Sequence, residues 1–134
     1  MSDAPRPLHL LFVCVENANR SQMAEAFARI HGGDKIDPHS AGSRPSGIVN
    51  PKAIAALREK GYDLTKHASK SLQQIPQIEW DAVVTMGCGD ECPFVRGKRR
   101  EDWPLPDPKH LPPDQFNRVR DEIETRVKKL IESL

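Results

Sequence analysis

Leu8-His9-Leu10-Leu11-Phe12-Val13-Cys14-Val15-Glu16-Asn17-Ala18-Asn19-Arg20-Ser21 is the stretch on which the fold turns. Leu8–Val13 is a continuous apolar run with one histidine, the pattern of a strand buried on both faces. From Ser21 to His31 the period changes. Met23, Phe27 and Ile30 fall on one helical stripe, with Ala24 and Ala28 beside it. Gly32 and Gly33 then end the helix. A buried strand feeding a helix through a short polar loop is the opening unit of an α/β sheet.

The rest of the chain repeats the alternation. Ile36–His39 is expected to be a short second strand running into Ser40-Ala41-Gly42, and Ser43–Asn50 a polar loop. Pro51 suits the first turn of a second helix, with Asn50 as its cap. Ala53, Ile54 and Leu57 form its apolar face and Gly61 ends it. Thr65–Pro76 reads as a turn with a short helix, Trp80–Met86 as a third buried strand, and Trp103–Leu105 as a short fourth. From Pro113 a last helix is expected to run to the end, with Phe116, Val119, Ile123, Val127, Leu130 and Leu134 at steps of three and four. The order β-α-β-α-β-(β)-α predicts one α/β domain over residues 1–134, a parallel sheet with helices on both faces.

Composition excludes several classes. The 134 residues carry 20 Lys and Arg against 19 Asp and Glu, formally +1. A nucleic-acid binder usually shows a basic excess, so none is expected. No apolar run approaches the roughly 20 residues that span a bilayer. Met1–Pro7 is polar and unlike a signal peptide, so a cytoplasmic address is expected. The three cysteines, Cys14, Cys88 and Cys92, are an odd number and do not read as a disulfide framework.

Cys14 directly follows the first strand and Ser21 opens the helix. In an open α/β sheet, ligands bind beyond the carboxyl ends of the strands. A helix N-terminus offers unpaired N–H groups and the positive end of its dipole. The loop Val15, Glu16, Asn17, Ala18 and Asn19 is therefore expected to cradle a tetrahedral oxyanion, with the Arg20 fork holding two of its oxygens. The same field favours the thiolate of Cys14, and the Ser21 hydroxyl can donate to it. The structural alternative is a buried core cysteine beside a solvated arginine.

Cys14–Ser21 with Gln22-Met23-Ala24-Glu25 resembles the low-molecular-weight protein tyrosine phosphatases, and more closely the arsenate reductases that share their fold. Ser40-Ala41-Gly42, Asn50-Pro51-Lys52-Ala53-Ile54, His67-Ala68-Ser69-Lys70 and Asp107-Pro108 extend the likeness over nearly the whole chain. The resemblance implies a flavodoxin-like four-stranded parallel sheet of order 2-1-3-4. It also implies that Asn17 and Ser40 support the loop and that Asp107 is a general acid. Glu16 stands where the phosphatases have glycine, and its carboxylate is expected to point outward. Some relatives hold a potassium ion with residues matching Asn17, Glu25, Ser40 and an aspartate at the position of Lys70. With lysine there, no metal is expected.

Two reactions fit the cradle. A phosphatase would hydrolyse the Cys14 thiophosphate with water, Asp107 acting as acid and then base. An arsenate reductase needs further thiols, and Cys88 and Cys92 follow the third strand at the same sheet edge. On a helical segment their spacing would place their Cα atoms about 6 Å apart, within disulfide reach. The alternatives are zinc ligands, which lack a second ligand pair, and two inert small hydrophobes. Met86–Pro93 is similar to a segment of the arsenate reductases. Lys109 stands where the tyrosine phosphatases carry an aromatic, and Ser43–Val49 has no aromatic but offers Arg44. The expected protein is a monomeric arsenate reductase without a bound cofactor. Its reductant is an external thiol, thioredoxin or a low-molecular-weight thiol. A phosphotyrosine phosphatase and a non-catalytic oxyanion sensor are the alternatives. None of the five histidines is assigned a role, and the charge run Arg96–Glu101 is expected to be an exposed face.

Overall fold

The computed structural model describes residues 6–87 and 94–134. Four strands, β1 (Leu8–Cys14), β2 (Ile36–Gly42), β3 (Trp80–Thr85) and β4 (Gly97–Asp102), form one parallel sheet of order β2-β1-β3-β4. The helices are α1 (Arg20–Gly32), α2 (Pro51–Arg58) and α3 (Pro113–Ser133). Single 3-10 turns lie at Gly33–Lys35, Leu64–Lys66 and Leu72–Gln74. The expected strand order and parallel pairing are those observed.

β1 is paired on both sides and covered on both faces, and that explains a run apolar at every position but His9. One face presents Leu10, Phe12, Ala82 and Val84 to α1, α2 and α3, where Met23, Phe27, Leu57, Phe116 and Ile123 close the main core. The other presents Leu11, Val13 and Val83, covered by the Leu72–Gln74 turn together with Ile75 and Trp80. Burying a side chain such as Phe27 contributes on the order of 1.5–3 kcal/mol. Of the expected α1 stripe, Met23 and Phe27 are buried, whereas Ile30 near the helix end is 40% exposed.

Asn50 caps α2 by accepting the Lys52 N–H at 2.9 Å. The helix closes in a Schellman arrangement: the Tyr62 N–H donates to Leu57 and the Gly61 N–H to Arg58, at 3.0 and 2.9 Å. Gly61 takes φ 77°, which explains the glycine there.

Two strands depart from the expected limits. β2 runs on to Gly42, because it is an edge strand and tolerates Pro38, which lacks a ladder N–H. The fourth strand is Gly97–Asp102 rather than Trp103–Leu105. It is the opposite edge, largely exposed, so the charge run Lys98-Arg99-Arg100-Glu101 forms the strand itself. Trp103 follows it into the core.

The order reverses at β1. The chain leaves β1 through α1 to pair β2 on one side, and returns through α2 to pair β3 on the other. The crevice at the carboxyl ends of β1 and β3 is the switch point where α/β sheets bind ligands.

Candidate active site

Cys14 ends β1 opposite Gly42, and its side chain is 3% exposed. The loop from Val15 to Asn19 turns beneath it into α1. Its carbonyls are taken up by the surrounding protein. Cys14 O accepts from the Ser43 N–H at 3.2 Å, Val15 O from Arg44 at 2.8 Å and Glu16 O from Ser46 at 3.0 Å. Ala18 O accepts from Asn50 at 3.1 Å and Asn19 O from Met23 at 2.9 Å. With those acceptors occupied, an anion entering the loop meets N–H groups and the start of α1.

Gly42 explains how closely the loop lies on the sheet. A Cβ there would stand 2.5 Å from Val15 O and 2.9 Å from Asn17 N.

Asn17 holds the loop in shape. It has φ 51°, in the left-handed region that asparagine tolerates better than most residues. Its N–H points to Cys14 Sγ at 3.2 Å. Its Oδ1 accepts from the Lys70 N–H at 3.0 Å and from Gln22 Nε2 at 2.9 Å. Its Nδ2 donates to Ser21 Oγ at 2.8 Å. Ser21 Oγ also lies 2.8 Å from Cys14 Sγ. The hydroxyl accepts from Asn17 and keeps its proton available to a Cys14 thiolate.

The polarity of this chain is set further out. Gln22 uses Nε2 on Asn17, so its Oε1 accepts from His67 Nδ1 at 2.9 Å. The other ring nitrogen, Nε2, then accepts from the Tyr62 hydroxyl at 2.6 Å. Burial pushes the His67 pKa down, partly opposed by Glu25, which agrees with a neutral ring in this arrangement. The sequence reading assigned His67 no role and missed Gln22. Both lie in stretches that carry the family likeness, but their bond joins positions 45 residues apart and no local spacing records it.

Ser40 does not touch the loop directly. Its hydroxyl donates to buried Glu25 at 2.6 Å, and Lys70 Nζ lies 3.7 Å from that carboxylate and 3.5 Å from Ser40 Oγ. Since the Lys70 N–H holds Asn17, Ser40 bears on the loop through Lys70. Among the described residues no three His, Cys, Asp or Glu side chains converge as a metal site.

Arg20 is 8% exposed, and its Nη1 donates to Met86 O at 2.6 Å and Leu105 O at 3.0 Å. These bonds tie it to the end of β3 and to the segment that carries Asp107. A cavity of about 680 Å3 opens over Cys14, walled by Val15, Glu16, Ala18, Asn19, Arg20, Arg44, Gly87, Leu105, Pro106 and Asp107. Asp107 accepts the Lys109 N–H at 3.0 Å. Glu16 turns to Lys109, whose Nζ lies 3.2 and 3.3 Å from its two oxygens. The structure thus brings Cys14, Arg20, Asp107 and the loop residues Val15, Glu16, Ala18 and Asn19 to one cavity, whereas Asn17 and Ser21 are fully buried and bear on it through Cys14. Cys88 and Cys92 lie outside the described residues.

Residues 9–134 match the family model described as low molecular weight phosphotyrosine protein phosphatase. The chain is 39% identical to arsenate reductase 2 of Staphylococcus epidermidis over 122 residues, covering 88% of this chain and 92% of that one. It is 38% identical to the glutaredoxin arsenate reductase of Synechocystis over 125 residues, 91% of this chain and 95% of the other. A solved arsenate reductase in the phosphate binding state superposes with a TM-score of 0.86 at 36% identity, over 94% of this chain and 98% of its own. A thiol and arginine framing one anion loop, on a four-stranded sheet of this order, agree with those likenesses, and the chain belongs to the low molecular weight phosphotyrosine protein phosphatase family.

Proposed function

We propose that this protein reduces arsenate to arsenite. The carrying observation is the wall of the cavity over Cys14. It is lined by Arg20, Arg44, Asn19 and Asp107, with no aromatic side chain among the described residues. Such a pocket suits a small, highly charged tetrahedral oxyanion, whereas a phenyl ring needs apolar or aromatic walls. The relatives named arsenate reductases support the same reading.

In the proposed reaction the Cys14 thiolate attacks arsenic in hydrogen arsenate. An S–As bond forms, and one arsenate oxygen, protonated by Asp107, leaves as water. Arg20 and the loop amides hold the remaining oxygens and take up the charge that develops on them. The Cys88 thiolate then attacks Cys14 Sγ. The electron pair of the S–As bond stays with arsenic, which departs as arsenite, and a Cys14–Cys88 disulfide remains. Cys92 attacks Cys88, freeing Cys14 and moving the disulfide outward to an external thiol reductant, thioredoxin or a low-molecular-weight thiol.

The test is arsenate-dependent NADPH consumption with thioredoxin and its reductase, in wild type, Cys88→Ser and Cys92→Ser. Turnover that either substitution abolishes supports the relay. Turnover only with glutaredoxin and glutathione, indifferent to both substitutions, keeps the reduction and removes the relay. No arsenate turnover with any reductant, beside brisk aryl phosphate hydrolysis, overturns the reading. The position of Asp107 at the cavity favours that hydrolysis as the second reading.

A further inference from the structure

The side chains of Glu16 and Lys109 take no part in the chemistry above, yet they join a residue of the cavity wall to the segment that follows Asp107. Glu16 stands in the anion loop, two residues beyond Cys14. Lys109 stands two residues beyond Asp107, on the segment that forms the opposite rim. Its Nζ lies 3.2 and 3.3 Å from the two Glu16 oxygens, joining positions 93 residues apart. The Lys109 backbone is itself held in place. Its N–H donates to Asp107 Oδ1 at 3.0 Å, and its carbonyl accepts from Lys52 Nζ at 3.0 Å, on the first turn of α2. The pair thus bridges the rim of the anion loop and the rim of the acid loop.

Two physical effects follow. An uncompensated carboxylate at the lip would repel an incoming dianion, and the Lys109 ammonium cancels that charge where it stands. The bridge also runs from Glu16 in the cavity wall to the residue whose N–H holds Asp107 in that wall, which puts it on the Asp107 side. A leaving group protonated by Asp107 has to project there if it is larger than a single oxygen. An inorganic oxyanion has no group to project there, whereas an aryl leaving group would meet the bridge.

We infer that Glu16 and Lys109 form a charged clasp that selects free inorganic oxyanions over their aryl esters. This makes Lys109 a specificity-determining residue, and it deepens the arsenate reading on which it rests.

The test uses Lys109→Met, Glu16→Gln and the double variant. Binding of inorganic phosphate is followed by calorimetry at low salt, and kcat/KM is measured for p-nitrophenyl phosphate. Both positions are partly exposed, so effects of about three- to fivefold are expected. Lys109→Met should weaken phosphate binding by that factor, and adding Glu16→Gln should restore it. The double variant should hydrolyse the aryl ester faster than wild type. Phosphate binding unchanged in Lys109→Met, no recovery on adding Glu16→Gln, or an aryl rate unchanged in the double variant would each overturn the clasp. Phosphate binding involves no turnover. A wild type that binds phosphate with this pattern but reduces no arsenate therefore defeats the reductase reading and leaves the clasp standing.

Discussion

The Sγ of Cys14 and the Oγ of Ser21 stand 2.8 Å apart, so that with Cys14 as the thiolate the proton between them is the serine's. Asn17 Nδ2 donates to that hydroxyl and leaves its proton free to be given to sulfur once Cys14 is a thiolate, which has no proton of its own to give. A hydrogen bond to a charged group is worth about 1.5–3 kcal/mol. Ser21→Ala is therefore expected to slow alkylation of Cys14 by iodoacetamide at neutral pH by roughly ten- to a hundredfold, with the fold intact by circular dichroism. An unchanged alkylation rate would show that the serine does not set up the sulfur.

Arg20 tests the cradle itself. Its guanidinium bonds two carbonyls through Nη1, and Nε and Nη2 have no partner among the described residues. Lysine supplies one point charge and cannot reproduce both functions. Arg20→Lys is expected to weaken phosphate binding by at least about tenfold. Equal affinity in calorimetry would remove Arg20 from the anion site.

Gly42→Ala probes the contact between sheet and loop. The new Cβ would press on the carbonyl of Val15 and the amide of Asn17, and backbone cannot rotate aside. A loss of about 1–3 kcal/mol in denaturant unfolding is expected, together with weaker phosphate binding, because the displaced atoms belong to the cradle. A stability loss with unaltered binding would mean that the strain is absorbed elsewhere.

His67 gives a pH dependence with a definite sign. Burial holds its pKa below the ordinary value, so the unfolded chain takes up the proton first as pH falls. Its contribution to stability is complete above about pH 6.5 and is lost as pH drops through the folded value. His67→Asn should remove that component of the slope between pH 7 and pH 5 in urea titrations. Parallel slopes in variant and wild type would count against a neutral, buried ring.

The nucleophile, its arginine and the alternation of strands and helices were legible because each leaves a local mark. Leu8–Val13 is apolar but for His9 since β1 is the interior strand with both faces covered, and Asn50-Pro51 carries the signature of a helix start. β4 was misplaced because an edge strand need not be apolar. Its charges keep the open edge unattractive to other strands, and in sequence that looks like a solvated loop. The outer hydrogen-bond layer was invisible for another reason. Tyr62, His67 and Gln22 meet only after the chain has passed through α2 and a 3-10 turn, and no short spacing records that meeting. The partner of Glu16 was hidden in the same way, because Lys109 lies 93 residues away.

β1 lies between two hydrogen-bonded neighbours, while β2 and β4 are the borders of the sheet, β2 bridged on its outer side only at Gly42, among the described residues. Fraying begins at the borders of a sheet, and interior amides exchange with solvent only when much of the molecule opens. The amides of Leu10–Val13 should therefore be among the slowest to exchange deuterium. The reactive sulfur is anchored to the segment that surrenders its structure last, so partial opening at the sheet's borders leaves Cys14 and its loop in register.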